Sequence, residues 1–272
     1  MARPNLSYLK NLVLTSTGLA CGTWSSLTGI SAAQTSSPAL SWLIGLRDPR
    51  LNAVAICVAI SSSFTSLLAF GQSHLIDVPL ALIFVVTSTL GALIAGYPLF
   101  QDIRDPLPAR IFWRITLLIG GFGAIFLAIR YGHSSAILAL GSRPDMWILK
   151  TLAAGLAVGF YGRLSGTGPA AVVIALIAIG HQSPLSAIAT AMTVYVLVSL
   201  APVALYLINK VVGEASMGWP MFGAAIGGLV GSRIAVAQSS QTLMILYGIG
   251  LVALAVILLR DKEPATDVPL KN

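Results

Sequence analysis

Two polar stretches interrupt long apolar runs, "SLTGISAAQTSSPAL" (26–40) and "YGRLSGTGPAA" (161–171). Between them they hold the hydroxyls of Ser26, Thr28, Ser31, Thr35, Ser165 and Thr167 and the amide of Gln34. All of these can donate hydrogen bonds. Gly166 and Gly168 leave backbone N–H groups open to close approach. Arg163 is the one strong cation in either stretch, and its planar guanidinium fits an oxyanion. A span-end arginine can equally turn its head to the interface and bind nothing. Neutral donors, mobile backbone and a lone cation make these ten residues candidate ligands for a small anion.

Acidic residues sharpen that reading. Asp48, Asp77, Asp102, Asp105, Asp145, Glu214, Asp261, Glu263 and Asp267 all fall in predicted loops or the tail. No apolar segment therefore carries a carboxylate for a buried proton relay or a cation site. His74 and His181 lie near segment ends and are candidate proton carriers, although loop histidines are ordinarily just solvated. Cys21 and Cys57 sit in apolar segments without a metal or disulfide spacing, which points to packing. No metal, cofactor or catalytic residue is expected, and no G-x-x-x-x-G-K-[ST] pattern offers a nucleotide site. An intramembrane enzyme would need a nucleophile–base pair, an acidic dyad or a metal cluster. Only spatial convergence of distant residues such as His74, His133 and His181 could assemble one.

The elements that must hold these residues are membrane helices. Of 272 residues, 56% are hydrophobic and only 9% charged, where a soluble domain is near a quarter charged. The net charge of +7 comes from single basic residues at the edges of apolar segments. That is the pattern of orientation signals rather than of a nucleic-acid surface. The basic, then apolar N-terminus is expected to be a retained first span, since Gly18 stands where a lipoprotein cleavage box before Cys21 wants leucine.

Apolar runs predict segments at 9–29, 36–46, 52–71, 79–99, 112–131, 147–165, 169–180, 185–208, 216–236 and 241–259. Segments 36–46 and 169–180 are too short for a core of about 30 Å, so each either crosses as a short helix or re-enters. If both cross, Arg130, Arg143, Lys150 and Arg233 lie outside and the other Lys and Arg residues inside, with both termini cytoplasmic. If both re-enter, the asymmetry nearly vanishes. The positive-inside rule favours ten crossings.

The chain also repeats itself. "GLACGTWSSLTGIS" (18–31) aligns with "GLAVGFYGRLSGTG" (155–168) at Gly18/Gly155, Leu19/Leu156, Ala20/Ala157, Gly22/Gly159, Leu27/Leu164 and Gly29/Gly166. A two-residue gap then sets Gly45 opposite Gly180 and Pro49 opposite Pro184. Five segments per copy is odd, so the second copy runs inverted. The expected fold is an all-α polytopic membrane protein of two inverted repeats, the second segment of each being short. Its parts are 1–131, a connecting loop at 132–146, a second repeat at 147–260 and a polar tail at 261–272. Such repeats bring broken helices together at mid-membrane, where short-helix N-termini favour anions. The ladders at Gly18-x-x-x-Gly22, Gly155-x-x-x-Gly159 and Gly223-x-x-x-Gly227-x-x-x-Gly231 predict close helix packing, and the last could also serve a homo-oligomer. The "SSSFTS" run (61–66) could line a cavity or bond neighbouring helices.

Over roughly residues 10–260 the chain resembles the TauE/SafE family of sulfite exporter-like permeases. The resemblance rests on the twice-occurring Gly-x-x-x-Gly, Ser/Thr-Gly break and short helix, most closely in "GLAVGFYGRLSGTGPAAVVIALIAIGHQSPLSAIATA" (155–191). "GWPMFGAAIGGLVGSRIA" (218–235) is similar to that family's tryptophan-marked span. The family's usual glycine run is replaced here by "TGPAA" and "ISAAQ". The resemblance implies a secondary transporter, an exporter of sulfite, a sulfonate or a related anion by alternating access, in a bacterial inner membrane. Its expected partners are the small anionic solute and the lipid bilayer. The alternative is an intramembrane enzyme, or a membrane subunit or assembly factor acting through a partner.

Overall fold

A computed structural model describes residues 6–44, 50–96, 107–131, 147–165, 168–180, 182–208 and 218–260. Its elements are helices: α1 (Leu6–Thr28), α2 (Ala32–Ile44), α3 (Arg50–Gly71), α4 (Val78–Ala95) and α5 (Leu107–Tyr131), then α6 (Trp147–Ser165), α7 (Gly168–Ala178), α8 (Pro184–Ile208), α9 (Gly218–Ala237) and α10 (Ser240–Arg260). With 13 and 11 residues, α2 and α7 fall well short of the roughly 20 that a bilayer core requires. Among the described residues α3, α4, α8, α9 and α10 are both long and apolar enough to cross.

Large apolar side chains cover the outside of the helices, and small or polar residues are frequent on their buried faces. On α4 the buried stripe is Leu80, Ala81, Phe84, Thr87, Ser88, Gly91 and Ala95. Leu82, Val86, Leu90, Leu93 and Ile94 are exposed on the same helix. On α9 the stripe is almost wholly Gly, Ala, Ser and Pro, while Trp219, Phe222, Leu229 and Val230 point outward. Water would penalise such a surface, whereas lipid tails accept it. The chain is an integral membrane protein.

Close crossings follow from the small residues. A Cβ added at Gly18 or Gly22 would overlap the backbone of Pro220 or Ala224 on α9. One at Gly223, Gly227 or Gly231 would meet the carbonyls of Thr15, Leu19 or Thr23 on α1. Helices α4 and α6 cross in the same manner, with Gly155 and Gly159 against Thr87 and Ser88, and Gly91 against Leu156 and Phe160. Gly227 thus touches Leu19 and Thr23 as Gly91 touches Leu156 and Phe160. Leu19 and Leu156 are themselves partners in the sequence alignment. At the crossing of α5 and α10, Gly121 faces the Gly248 carbonyl and Gly248 faces that of Gly121.

Among the described residues, several helix pairs correspond when α1–α5 are matched with α6–α10, whereas the packing of α1 on α3, α1 on α8 and α8 on α10 has no counterpart of similar extent. Packing of α1 on α9 answers to α6 on α4, α2 on α3 to α7 on α8, and α1 on α2 to α6 on α7. The pairs α3·α8 and α5·α10 map onto themselves. The largest apolar core joins Phe70, Leu80 and Phe84 to Val173, Leu176, Ile188, Met192, Tyr195, Tyr247 and Leu251, and Ile30 of the first break lies within it.

Candidate functional site

The first break is the gap at Gly29, Ile30 and Ser31 between α1 and α2. Helix α1 ends because Gly29 adopts a φ of 73°. That left-handed conformation costs an L side chain energy and commonly closes a helix at glycine. The Gly29 N–H then bonds the Ser25 carbonyl at 2.7 Å. The chain turns into α2 with Ser31 as the cap, its Oγ accepting from the Ala33 N–H at 3.4 Å. The segment 36–46 predicted from apolar residues therefore starts four residues earlier, at Ala32. Gln34 and Thr35 stand in its first turn rather than in the break. Pro38 lies inside α2 instead of at its start, so it offers no N–H to the Gln34 carbonyl one turn back.

Among the first-half candidates, Ser26 and Thr28 are committed to the fold. Ser26 Oγ lies 2.9 Å from the Gly22 carbonyl and 2.6 Å from Ser66 Oγ on α3. Ser66 in turn reaches the carbonyls of Ser62 at 2.7 Å and Gly228 at 3.2 Å, which ties α1, α3 and α9 into one knot. Thr28 donates to the Trp24 carbonyl at 2.8 Å and accepts from the Ile30 N–H at 3.2 Å. Thr35 donates to the Ala32 carbonyl at 3.2 Å and shares a side-chain hydrogen bond with Cys21 on α1. Gln34 is half-buried on α2.

Gly29 sits where the two halves meet. A Cβ there would press on Val173 of α7 and Ile188 of α8, so glycine is required by contact as well as by conformation. Its carbonyl accepts a 2.8 Å hydrogen bond from the buried Tyr195 hydroxyl of α8. Irregular backbone in a membrane is tolerated only where protein or a water-filled cavity encloses it, and here Thr28, Gly29, Ile30 and Ser31 are all buried. Tyr195 escaped the sequence reading because nothing in "TVYVLV" marks its target, 166 residues away.

In the second half, α6 ends at Ser165 and α7 begins at Gly168. That frames the break at the predicted place. Gly166 and Thr167 lie outside the described residues, as do the side chains of Arg163 and Ser165 and the surroundings of Gly168. His133 and His181 fall outside them too. His74 is exposed and follows α3 with a φ of 52°. Its N–H bonds the Gly71 carbonyl and that of Leu75 bonds Phe70, the pattern of a helix stop, so its place is that of a cap. Of the "SSSFTS" run, Ser61, Ser62, Thr65 and Ser66 bond carbonyls of their own helix, and Ser66 also bonds neighbouring helices. Ser63 Oγ, like those of Ser25 and Ser36, is buried with no hydrogen-bond partner.

A family model described as Sulfite exporter TauE/SafE matches residues 13–264. No curated protein matches the chain with significance.

Proposed function

The chain belongs to the sulfite exporter TauE/SafE family, and from that premise we propose that it is a secondary transporter moving a small sulfur oxyanion or sulfonate outward by alternating access. The carrying observation is the family match across nearly the whole chain. Transport, rather than catalysis, is the activity that membership implies.

Two inverted repeats, 1–131 and 147–260, joined by 132–146, supply the moving parts in this reading. The matched helix pairs support it, because a two-fold relation gives corresponding elements corresponding contacts. An odd number of helices per repeat inverts the second copy if all ten cross. Packing of Gly29 against α7 and α8 supports a first break at the interface of the halves, where inverted-repeat transporters hold solute. The ligand set is then Ser31, Gln34 and Thr35 near the start of α2, with Arg163, Ser165, Gly166, Thr167 and Gly168 contributed by the second break. Ser26 and Thr28 shape the break from behind. In this reading the basic residues favour cytoplasmic termini, with the tail at 261–272 inside, and the bacterial inner membrane is what the family resemblance implies.

The test is flux of radiolabelled sulfite, sulfate and methanesulfonate in liposomes holding the purified protein. Saturable flux of one of them, lost in Arg163→Ala, is the expected result. Absence of flux for all three from inserted, folded protein would reject the reading.

A further inference from the structure

Helix contacts divide the bundle along a line that the sequence repeats do not follow. Helix α1 packs far more extensively on α9, from the other half of the chain, than on its sequence neighbours α2 and α3. Helix α6 packs on α4 in the same way. In both pairs backbone lies on backbone. Gly18, Gly22, Gly223, Gly227 and Gly231 leave no room for a side chain between α1 and α9, nor do Gly91 and Gly159 between α4 and α6. Such seams are held by close packing of small residues, and neither helix can slide without lifting one backbone over the other.

Further contacts extend each pair into a body of four helices. Gly228 sets α9 against the Ser62 carbonyl of α3, and Ser66 of α3 bonds Ser26 of α1 at 2.6 Å and Gly228 of α9 at 3.2 Å. Leu14, Leu40, Val58 and Ala224, one each from α1, α2, α3 and α9, share a core. Among the described residues, every buried member of that core comes from these four helices. In the second body the N–H of Asp77, the cap of α4, donates to Thr190 of α8 at 3.2 Å, and Gly180 after α7 faces Leu80 of α4. Helices α6, α7 and α8 pack on one another in chain order. Contacts between the bodies differ in kind. A Cβ at Gly29 would first meet side-chain atoms of Val173 and Ile188, and the Tyr195 hydroxyl bonds the Gly29 carbonyl. Side chains can part by changing rotamer, which a backbone seam cannot do. The larger core joins α5 and α10 to the second body, and Ile30, Phe70 and Ala235 of the first reach into it.

We propose that the units that move are these two bodies, α1, α2, α3 with α9 and α6, α7, α8 with α4, rather than the two sequence repeats. Each repeat lends its fourth helix to the other, and the bodies part at Gly29 and Tyr195. The inference rests on the transport reading above and specifies what rocks against what. Packed seams switch between discrete arrangements instead of deforming, so motion is taken up where side chains meet.

Distances between pairs of thioether-linked Gd(III) labels, measured by pulsed dipolar spectroscopy in liposomes, test it. Leu9→Cys, Leu93→Cys, Ile148→Cys and Val236→Cys put labels on α1, α4, α6 and α9 at exposed residues, while Cys21 and Cys57 are buried. Leu9 with Val236 and Leu93 with Ile148 are same-body pairs. Leu9 with Leu93 and Ile148 with Val236 are same-repeat pairs. Flux of sulfite, sulfate and methanesulfonate through the labelled proteins is measured alongside. Without anion, the same-body distance distributions are expected to be the narrower. A transported anion at saturation should shift the same-repeat distances by several ångström and leave the same-body distances in place. Same-body distributions as broad as the same-repeat ones, or shifting in place of them, overturn the partition whether or not flux occurs. So does a transported anion that shifts no pair. Narrow same-body and broad same-repeat distributions in a protein that moves none of the three anions would keep the bodies and reject transport of these anions.

Discussion

Replacing Gly227 with alanine should loosen one of the close crossings of the bundle. A Cβ at that position overlaps the Leu19 carbonyl oxygen and lies 2.8 Å from the Thr23 nitrogen, both backbone atoms of α1. No rotamer change can relieve such a contact, so α1 and α9 must separate along a seam that also includes Gly18, Gly22, Gly223 and Gly231. Overpacking of this kind costs about 1–3 kcal/mol. Helix propensity works the other way, since alanine in a helix interior gains about 0.8–1.0 kcal/mol over glycine. The net expectation is therefore a loss of up to about 2 kcal/mol, from those two ranges. Gly91→Ala should lose a similar amount, because Gly91 meets Leu156 and Phe160 as Gly227 meets Leu19 and Thr23. Gly123→Ala supplies the opposite sign: a Cβ there meets nothing within 4 Å, so only the propensity gain remains. Thermal unfolding of the three variants in detergent, followed by loss of the monodisperse peak, measures all three. A Gly227→Ala protein as stable as Gly123→Ala would refute the close crossing and the two-fold correspondence built on it.

Other changes probe the break and the caps. Tyr195→Phe leaves the Gly29 carbonyl buried without its donor. In unfolding experiments that should cost about 1–3 kcal/mol. Gly29→Ala forces a side chain into a left-handed backbone and against Val173. It should lower stability by about 1 kcal/mol or more, from the conformation alone, and abolish flux. Asp77 caps α4 by accepting from the Leu80 N–H at 3.1 Å. Asp77→Ala should cost about 1 kcal/mol in the same assay, while Asp77→Asn keeps most of the stability. Ser26→Ala removes one corner of the knot with Ser66 and should lower the unfolding midpoint, in contrast to Ser25→Ala beside it.

Much of the helical frame was legible because apolar runs in this chain stop at charges, Pro or Gly. The predicted segment 147–165 coincides with α6, and 185–208 differs from α8 by one residue. Helix α2 was the harder case. Gln34 and Thr35 made its first turn look like loop, and Pro38 looked like a start signal. The better signal was present in Ser31-x-x-Gln34, the spacing of a capping box. Side-chain commitments were less legible. Ser25 and Ser26 are neighbours of the same type, yet one bonds across to α3 and the other bonds nothing, a difference set by which face of α1 each occupies. Local spacing carries no record of the hydroxyl that reaches Gly29 from α8, because that contact exists only once the halves have packed.

Counterflow tests the central claim most directly. Liposomes loaded with unlabelled sulfite or methanesulfonate are diluted into a trace of the same anion in labelled form. A carrier that alternates between two faces is expected to accumulate label transiently above its external concentration, with saturation at high substrate and loss in Arg163→Ala. Label that only equilibrates, with a rate linear in concentration, would contradict alternating-access transport of these anions by this protein.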